Sequence, residues 1–218
     1  MTESYKILYR GGEGEIVEKK SRFIATTRPV ESEEEAAAFI EEMKKKYWDA
    51  RHHCSAYVLG ERGQIQRCSD DGEPAQTAGR PMLDVLLGEE VRNICVVVTR
   101  YFGGTLLGTG GLVRAYSGAV QEGLRHSTVM EKNLGSRVLI TTDYTGIGKI
   151  QYVAAQMGLT TLDTSYTDQV AVTLMVPAGQ VKELIHQVTE KTNGKAVIEE
   201  TDTLYYGILD KEVVLFGH

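Results

Sequence analysis

Apolar and polar residues recur with two different periods along this 218-residue chain. Partial alternation between residues 14 and 27 predicts a pair of strands, and apolar residues at helical spacing predict a helix over 33–47. Ser32 and Glu35 have the spacing of a capping box at the start of that helix. Its apolar stripe consists of Ala36, Phe39, Ile40, Met43 and Tyr47.

The same patterns continue to about residue 126. Strands are predicted at 54–59 and 64–69, a helix over 77–87, a strand at 94–100 and a helix over 112–126. These elements together indicate a first α+β domain.

A polar, glycine-containing segment at 127–136 indicates a domain boundary, so we place the two domains at 1–132 and 137–218. After the boundary the pattern predicts the order β-α-β-β-α-β, which is that of a ferredoxin-like sandwich. The elements are a strand at 137–143, a helix at 146–157, strands at 160–166 and 170–176, a helix around 181–188 and a strand at 196–205, with a further strand at 212–216.

Composition indicates a soluble globular protein, with 42% hydrophobic and 25% charged residues. No apolar run approaches the roughly 18 residues that span a membrane, and the first residues lack the apolar core of a signal peptide. We therefore expect a cytoplasmic protein with no membrane partner. Cys54, Cys68 and Cys95 lack C-x-x-C spacing, which argues against a disulfide framework or a zinc knuckle.

Net charge restricts the kind of partner. A formal charge of -6 argues against nonspecific coating of nucleic acid, so any such contact has to be local. Between Tyr47 and Glu131 every Lys or Arg position is arginine, whose planar fork suits phosphate or carboxylate. These arginines either bind such a group or pair with acids inside the fold. Acidic excess is larger after Gly135, which makes the C-terminal domain the poorer candidate for nucleic acid.

The segment after the strand at 94–100 is the best candidate site. Five glycines fall within nine positions where a strand passes into a helix, and free N–H groups at a helix start attract anions. We expect Thr109 to cap the helix, and Arg100 and Arg114 to close on one anion. The alternative is that the glycines only let the helix pack tightly. The predicted anion-binding residues are Arg100, Gly103, Gly104, Gly108, Thr109, Gly110, Gly111 and Arg114.

Known nucleotide-binding loops fit this segment poorly. Thr109 stands where a Walker loop needs lysine, and Val113 stands where a dinucleotide fingerprint needs its third glycine. We expect neither ATP hydrolysis nor Rossmann-type NAD binding, and no cofactor.

A second motif begins at Asp70. Its carboxylates, Asp70, Asp71 and Glu73, either hold Mg²⁺ beside the anion or pair with Arg67, Arg80 or Arg100. We expect this motif to support the site by orienting its arginines. The supporting residues are Asp71, Glu73, Pro74, Thr77, Gly79 and Arg80.

Other candidate residues give weaker signals. His52 and His53 are adjacent on a predicted strand and face opposite sides, so we expect no metal site there. His53 likewise faces away from Cys54, which argues against a thiol nucleophile. Tyr101 and Phe102 beside Arg100 either form a base-stacking surface or cap the core.

Two long motifs closely resemble the IMPACT family in its bacterial YigZ/YvyE branch, and the resemblance covers essentially the whole chain. They are Asp71-Gly-Glu-Pro-x-x-Thr77-Ala-Gly-x-Pro81 and Val97-Val-x-Arg100-Tyr-Phe-Gly-Gly-x-x-Leu107-Gly-x-Gly-Gly-Leu112-x-Arg114-Ala-Tyr116. The resemblance implies a fold of two α+β domains. The N-terminal domain would resemble domain 2 of ribosomal protein S5, and the C-terminal domain would be a ferredoxin-like βαββαβ sandwich.

Eukaryotic relatives regulate translation through a partner that controls an initiation-factor kinase, using an additional N-terminal RWD domain. We expect that partner not to apply to this chain. For bacterial members the resemblance implies nucleic-acid or ribosome binding by likeness of fold, and it supplies no catalytic residues.

These observations predict a non-enzymatic, translation-linked regulatory protein that contacts RNA or ribosomal phosphate through the glycine-rich turn. One alternative is a Mg²⁺-dependent phosphate-ester hydrolase or small kinase at the same loop. Another is a protein-interaction module that uses the ferredoxin-like half. The choice of RNA, the protein partner and the oligomeric state stay open.

Overall fold

The computed structural model describes residues 2–217, which divide into two compact units. The division falls between Glu131 and Lys132, inside one long strand. Both units combine helices with sheets, which confirms the predicted α+β class with two domains.

The N-terminal unit contains ten elements before that long strand. In chain order they are β1 (Ser4–Arg10), β2 (Glu13–Glu18), β3 (Ser21–Pro29), α1 (Glu33–Lys46), β4 (His52–Leu59), β5 (Ile65–Ser69), α2 (Gly79–Gly88), β6 (Val91–Arg92), β7 (Ile94–Tyr101) and α3 (Gly108–Arg125).

Five of these strands form an antiparallel sheet in the order β2-β3-β7-β4-β5. Side chains alternate along the central strand β7: Val96 and Val98 pack in the core with α2 and α3, while Cys95 and Val97 pack with α1. Because helices cover both faces of the sheet, successive residues of β7 are apolar, and the strand lacks the alternation of apolar and polar residues that a half-exposed strand shows.

Of the two N-caps predicted for α1 and α3, the structure contains the first and not the second. The Ser32 hydroxyl accepts a hydrogen bond from the Glu35 N–H at 3.1 Å, which confirms the predicted cap of α1. Helix α3 begins at Gly108, two residues before the start that a cap at Thr109 predicts, and Leu107 occupies the N-cap position. Thr109 is therefore not the cap, because it already lies inside the first turn.

The C-terminal unit follows the predicted strand and helix order. Its elements are β8 (Thr128–Thr142), α4 (Ile147–Gln156), β9 (Thr160–Tyr166), β10 (Val170–Pro177), a 3₁₀ turn (Ala178–Gln180), α5 (Val181–Thr192), β11 (Val197–Leu209) and β12 (Glu212–Phe216). The strands pair antiparallel in the order β12-β11-β8-β10-β9. Both helices pack against buried residues of β8 and β10, and this arrangement confirms the ferredoxin-like sandwich.

Two features differ from the sequence-based expectation. The polar segment at 127–136 lies mostly in β8, where Ser136 pairs with Val176 on one side and Thr203 on the other. Strands β1 and β6 were not predicted, and they pair in parallel with Lys6 opposite Val91.

Candidate functional site

A cavity of about 430 Å³ lies in the N-terminal unit where β7 ends and α3 begins. Its polar lining residues lie at the start of β4, in the segment before α2, near the end of β7 and in the first turn of α3. Most of the other lining residues are apolar. We call it the Arg100 cavity. Its lining residues are Arg51, His52, Glu73, Pro74, Arg100, Phe102, Leu106, Leu107, Gly108, Thr109 and Leu112.

A buried ion pair lies in the wall of this cavity. Arg100 is 6% exposed, and its Nη1 donates to Glu73 Oε1 at 2.6 Å. The Tyr116 hydroxyl donates to the same oxygen at 2.7 Å. Glu73 is thus the predicted carboxylate partner of Arg100, and it fixes the position of the guanidinium group.

One nitrogen of the Arg100 guanidinium, the Nε, is buried without a hydrogen-bond partner within residues 2–217. Leaving a buried donor unpaired costs about 1–3 kcal/mol, more when the group is charged. Arg100 also lines the cavity, so this unpaired buried donor makes the arginine a candidate binding residue.

Two phenylalanine rings contact the same guanidinium group. Its carbon lies 5.4 Å from the ring centre of Phe23 and 5.7 Å from that of Phe102, both within the range of cation–π attraction. Phe23 is fully buried and meets the Tyr116 ring edge to face at 5.2 Å. Phe102 is 54% exposed, so it does not serve as a buried cap of the core.

The second predicted motif is a tight turn followed by a helix start. Asp71 and Gly72 both have positive φ, and the Glu73 N–H donates to the Asp70 carbonyl, as in the type I′ family of turns. The Asp71 carboxylate accepts from the His53 N–H at 2.6 Å and has no arginine partner within residues 2–217. This turn is what carries Glu73 back towards Arg100.

Asp70 stabilises the segment after the turn. Its carboxylate accepts from the backbone N–H groups of Gln76, Ala78 and Gly79, so it caps the start of α2. Gly79 is required there because a Cβ would lie 2.7 Å from the Ser69 backbone.

The remaining supporting residues have separate roles. The Thr77 hydroxyl donates to the Pro74 carbonyl at 2.6 Å, and Pro74 lines the cavity. Arg80 is exposed and pairs with Asp84 along α2, away from the motif's own carboxylates.

The alternative Mg²⁺ site receives no support from these contacts. The carboxylates of Asp70, Asp71 and Glu73 each bind a different part of the fold. Among residues 2–217, no cluster of three or more His, Cys, Asp or Glu side chains is arranged to hold a metal ion.

The first turn of α3 provides the other polar edge of the cavity. No side chain of the described chain caps this helix, and its first turn contains no acidic residue. The leading N–H groups of a helix have no partner inside the helix, and the dipole makes this end positive. Gly108 and Thr109 line the cavity, so these donors border it.

The five glycines of this segment differ in whether the backbone requires glycine at their positions. Gly104 and Gly108 have φ values of 87° and 73°, which favour glycine. A Cβ on Gly103 would lie 2.1 Å from the Lys20 backbone, whereas Gly110 has room for one. Gly111 is intermediate, since its Cβ would lie 3.0 Å from the Leu107 side chain. Tight backbone geometry therefore explains Gly103, Gly104 and Gly108.

The structure does not bring Arg114 to the Arg100 cavity. Arg114 is exposed and lines a separate cavity of about 180 Å³ with Glu18 and Gly111. The two arginines line different cavities, so the structure does not support the expectation that Arg100 and Arg114 close on one anion.

Arg51 and His52 line the cavity, although the sequence patterns did not predict them as site residues. His52 lies directly opposite Arg100 in the β4–β7 pair, and its Nδ1 donates to the Asp71 carbonyl at 2.9 Å. Only the pairing register of β4 and β7 brings His52 next to Arg100, and the sequence alone does not give that register.

Cys54 is buried in β4, and its thiol donates a hydrogen bond to the Asp70 carbonyl at 3.0 Å. Burial raises the pKa of this thiol far above its ordinary value, and burial also raises the pKa of the Tyr116 hydroxyl. Both groups stay protonated at neutral pH, which is the wrong state for a nucleophile.

Comparison with known proteins follows the two-unit division. The Impact N-terminal domain profile matches residues 19–124, and a domain of unknown function, DUF1949, matches residues 140–195. Among residues 2–217, no helix has the length and apolar character needed to cross a membrane.

Similar proteins match along most of their length. IMPACT family member YvyE of Bacillus subtilis is 43% identical over 94% of both chains. IMPACT family member YigZ of Escherichia coli is 39% identical over 81% of this chain and 87% of its own. The crystal structure of a hypothetical protein is 36% identical and aligns with a TM-score of 0.59 over 93% of this chain and 99% of its own. The chain therefore belongs to the IMPACT family.

Proposed function

We propose that this protein is a non-enzymatic, cytoplasmic regulatory protein of translation that binds RNA or ribosomal phosphate at the Arg100 cavity. One observation supports this most directly. The uncapped start of α3 lines the same cavity as Arg100, whose buried Nε has no hydrogen-bond partner within residues 2–217.

The two features suit the same chemical group. A phosphate oxygen accepts hydrogen bonds from the free N–H groups of a helix start, and the helix dipole adds about 0.3–1 kcal/mol. Arginine contributes charge-assisted hydrogen bonds, which are about twice as strong as neutral ones. Arg51 adds further donors at the same edge.

The link to translation rests on family membership together with this chemistry. The family resemblance implies translation regulation by the eukaryotic relatives, and rRNA is the phosphate-rich component of the translation machinery. The chain's net charge of -6 favours one local contact over a broad basic face.

Thr109 offers a sharp test, because it lines the cavity and is exposed. Thr109→Asp places a negative charge where the phosphate binds, while the helix dipole tolerates or favours it. We expect affinity for rRNA and for purified ribosomal subunits to fall by about tenfold or more in filter binding and co-sedimentation.

Thr109→Asn is the matched control, since it has nearly the same size as Asp without the charge. It should bind within about twofold of the wild-type protein, because the backbone donors remain. Equal binding by the Asp and Asn variants would place the RNA contact elsewhere on the protein.

A further inference from the structure

We infer that the Arg100 cavity takes one unpaired nucleotide of an RNA strand, with its base in the apolar part and its phosphate at the start of α3. This inference rests on the proposed function, because it assigns the phosphate to the same donors. It adds the structural state of the RNA: the recognised nucleotide is outside a duplex.

The lining of the cavity has two chemically distinct parts. Arg51, His52, Glu73, Arg100 and the first turn of α3 form the polar part, in which the Glu73 carboxylate is already engaged by Arg100 and Tyr116. Apolar side chains form the rest, namely Pro74, Phe102, Leu106, Leu107 and Leu112. A site for phosphate alone has no need of apolar walls, whereas a nucleotide has both an anionic and a flat apolar portion.

Two of the apolar side chains are exposed to solvent. Phe102 is 54% exposed and Leu106 is 83% exposed. Leaving apolar area in water is unfavourable, by roughly 25 cal/mol per Å². A base that packs on Phe102 and Leu106 would cover this surface, and stacking on an aromatic ring is the usual way in which proteins hold unpaired bases.

The ring and the cation are held next to each other. The Phe102 ring centre lies 5.7 Å from the Arg100 guanidinium carbon, and Glu73 fixes that guanidinium. The base-binding surface and the phosphate-binding group are therefore preorganised within one nucleotide's reach.

Cavity size favours a single nucleotide. The volume of about 430 Å³ lies near the lower end of small-molecule sites, which span about 300–1,000 Å³. A base within a duplex is stacked and paired, so it reaches such a pocket only after leaving the stack. An overhanging, bulged or loop nucleotide presents its base without that cost.

Three RNA hairpins of identical stem test the inference with the full-length protein. The first has a single 3′-overhanging nucleotide, the second has an abasic sugar-phosphate in its place, and the third is blunt. We expect the first to bind about tenfold more tightly than the second, since stacking on one aromatic side chain contributes about that factor or more. Fluorescence anisotropy at constant salt measures all three.

Phe102→Ala should abolish the difference between the overhang and the abasic hairpin. Tyr152→Ala is the matched control, because Tyr152 is 53% exposed and lies on α4 in the other unit. It should preserve the full tenfold difference.

The outcomes separate this inference from the proposed function. Equal binding of the three hairpins, all weakened by Thr109→Asp, would overturn the unpaired nucleotide and leave the phosphate site standing. Failure of all three to bind would overturn both. Free AMP and UMP form a further arm: binding as tight as that of the overhang hairpin would show that the occupant is a free nucleotide, contrary to the inference.

Discussion

Arg100 and Glu73 form an ion pair whose side chains are only 8% and 3% exposed, at an Nη1–Oε1 distance of 2.6 Å. Glu73 reaches this position from a turn in which Asp71 and Gly72 have positive φ, and Arg100 reaches it from the end of β7. The two predicted motifs thus meet in one buried contact. Because buried charges need their partners, this pair links the candidate site to the stability of the fold.

Arg100→Gln should destabilise the protein strongly. Among the described residues, the substitution leaves the buried Glu73 carboxylate with Tyr116 as its one side-chain partner, and such a loss costs about 3–5 kcal/mol. Urea unfolding followed by circular dichroism measures the change. The pair Arg22–Glu15 is a matched exposed control, and Arg22→Gln should cost about 1 kcal/mol or less.

The double variant Arg100→Gln/Glu73→Gln separates charge from packing. If the cost arises from the unpaired carboxylate, neutralising Glu73 should recover a large part of the lost stability. A double variant as unstable as the sum of the two single variants would contradict this account.

Two glycines of the same segment should respond oppositely to alanine. Gly103→Ala forces a Cβ to within 2.1 Å of the Lys20 backbone and should cost about 1–3 kcal/mol. Gly110→Ala meets no atom closer than 3.7 Å and lies in a helix, so it should be neutral or stabilise by up to about 1 kcal/mol. Thermal unfolding of both variants checks the contrast, and destabilisation by Gly110→Ala would show an unrecognised constraint there.

Local patterns predicted most elements because their signals lie within each element. The capping box of α1 and the apolar stripe of α3 depend on spacings of three and four residues. Strands β1 and β6 escaped prediction because β6 has two residues and its parallel partner lies over 80 positions away. The polar start of β8 was likewise missed, since its strand conformation depends on distant partners such as Thr203.

The candidate site was predicted in part. Glycine density identified the start of α3, and the acidic motif supplied the partner of Arg100. Helical geometry would have separated Arg114 from Thr109, because five residues at about 100° each place them about 140° apart. This inference needs Thr109 to lie inside α3, which follows only from the observed start of the helix at Gly108. Arg51 and His52 required the β4–β7 register, which sequence spacing does not contain.

The three cysteines should differ in reactivity. Cys54 and Cys95 are buried, and burial raises the pKa of the Cys95 thiol to about 12. Cys68 is exposed, although partial burial raises the pKa of its thiol as well. A thiol reagent at pH 8 should label Cys68 first, and the other two only as fast as the protein opens. Peptide mapping of the labelled protein checks the order, and early labelling of Cys54 would contradict the buried cluster.

Alkaline pH should destabilise the protein through its buried thiols. The pKa of Cys95 is raised from 9.0 to about 12 by burial, so between these values the unfolded chain loses a proton that the folded chain keeps. The stability present below pH 9 therefore falls as pH rises, by up to about 1.4 kcal/mol per pH unit. Cys95→Ala should flatten the dependence of unfolding free energy on pH between 9 and 10.5. Cys68→Ala, at the exposed site, should change that slope much less.

The salt dependence of RNA binding should be shallow and should depend on Arg51 but not on Arg114. Among its lining residues the Arg100 cavity offers Arg51 and Arg100 as cationic groups, and Arg100 already pairs with Glu73, so few phosphates are neutralised and the slope of log K against log salt should be about -1 to -2. Arg51→Gln should reduce the magnitude of this slope by just under one, as expected for one lost phosphate contact. Arg114→Gln should leave both slope and affinity unchanged, because Arg114 lines a different cavity. A slope of about -4 or steeper, or an equal loss in the two variants, would indicate a broad basic contact that includes both arginines.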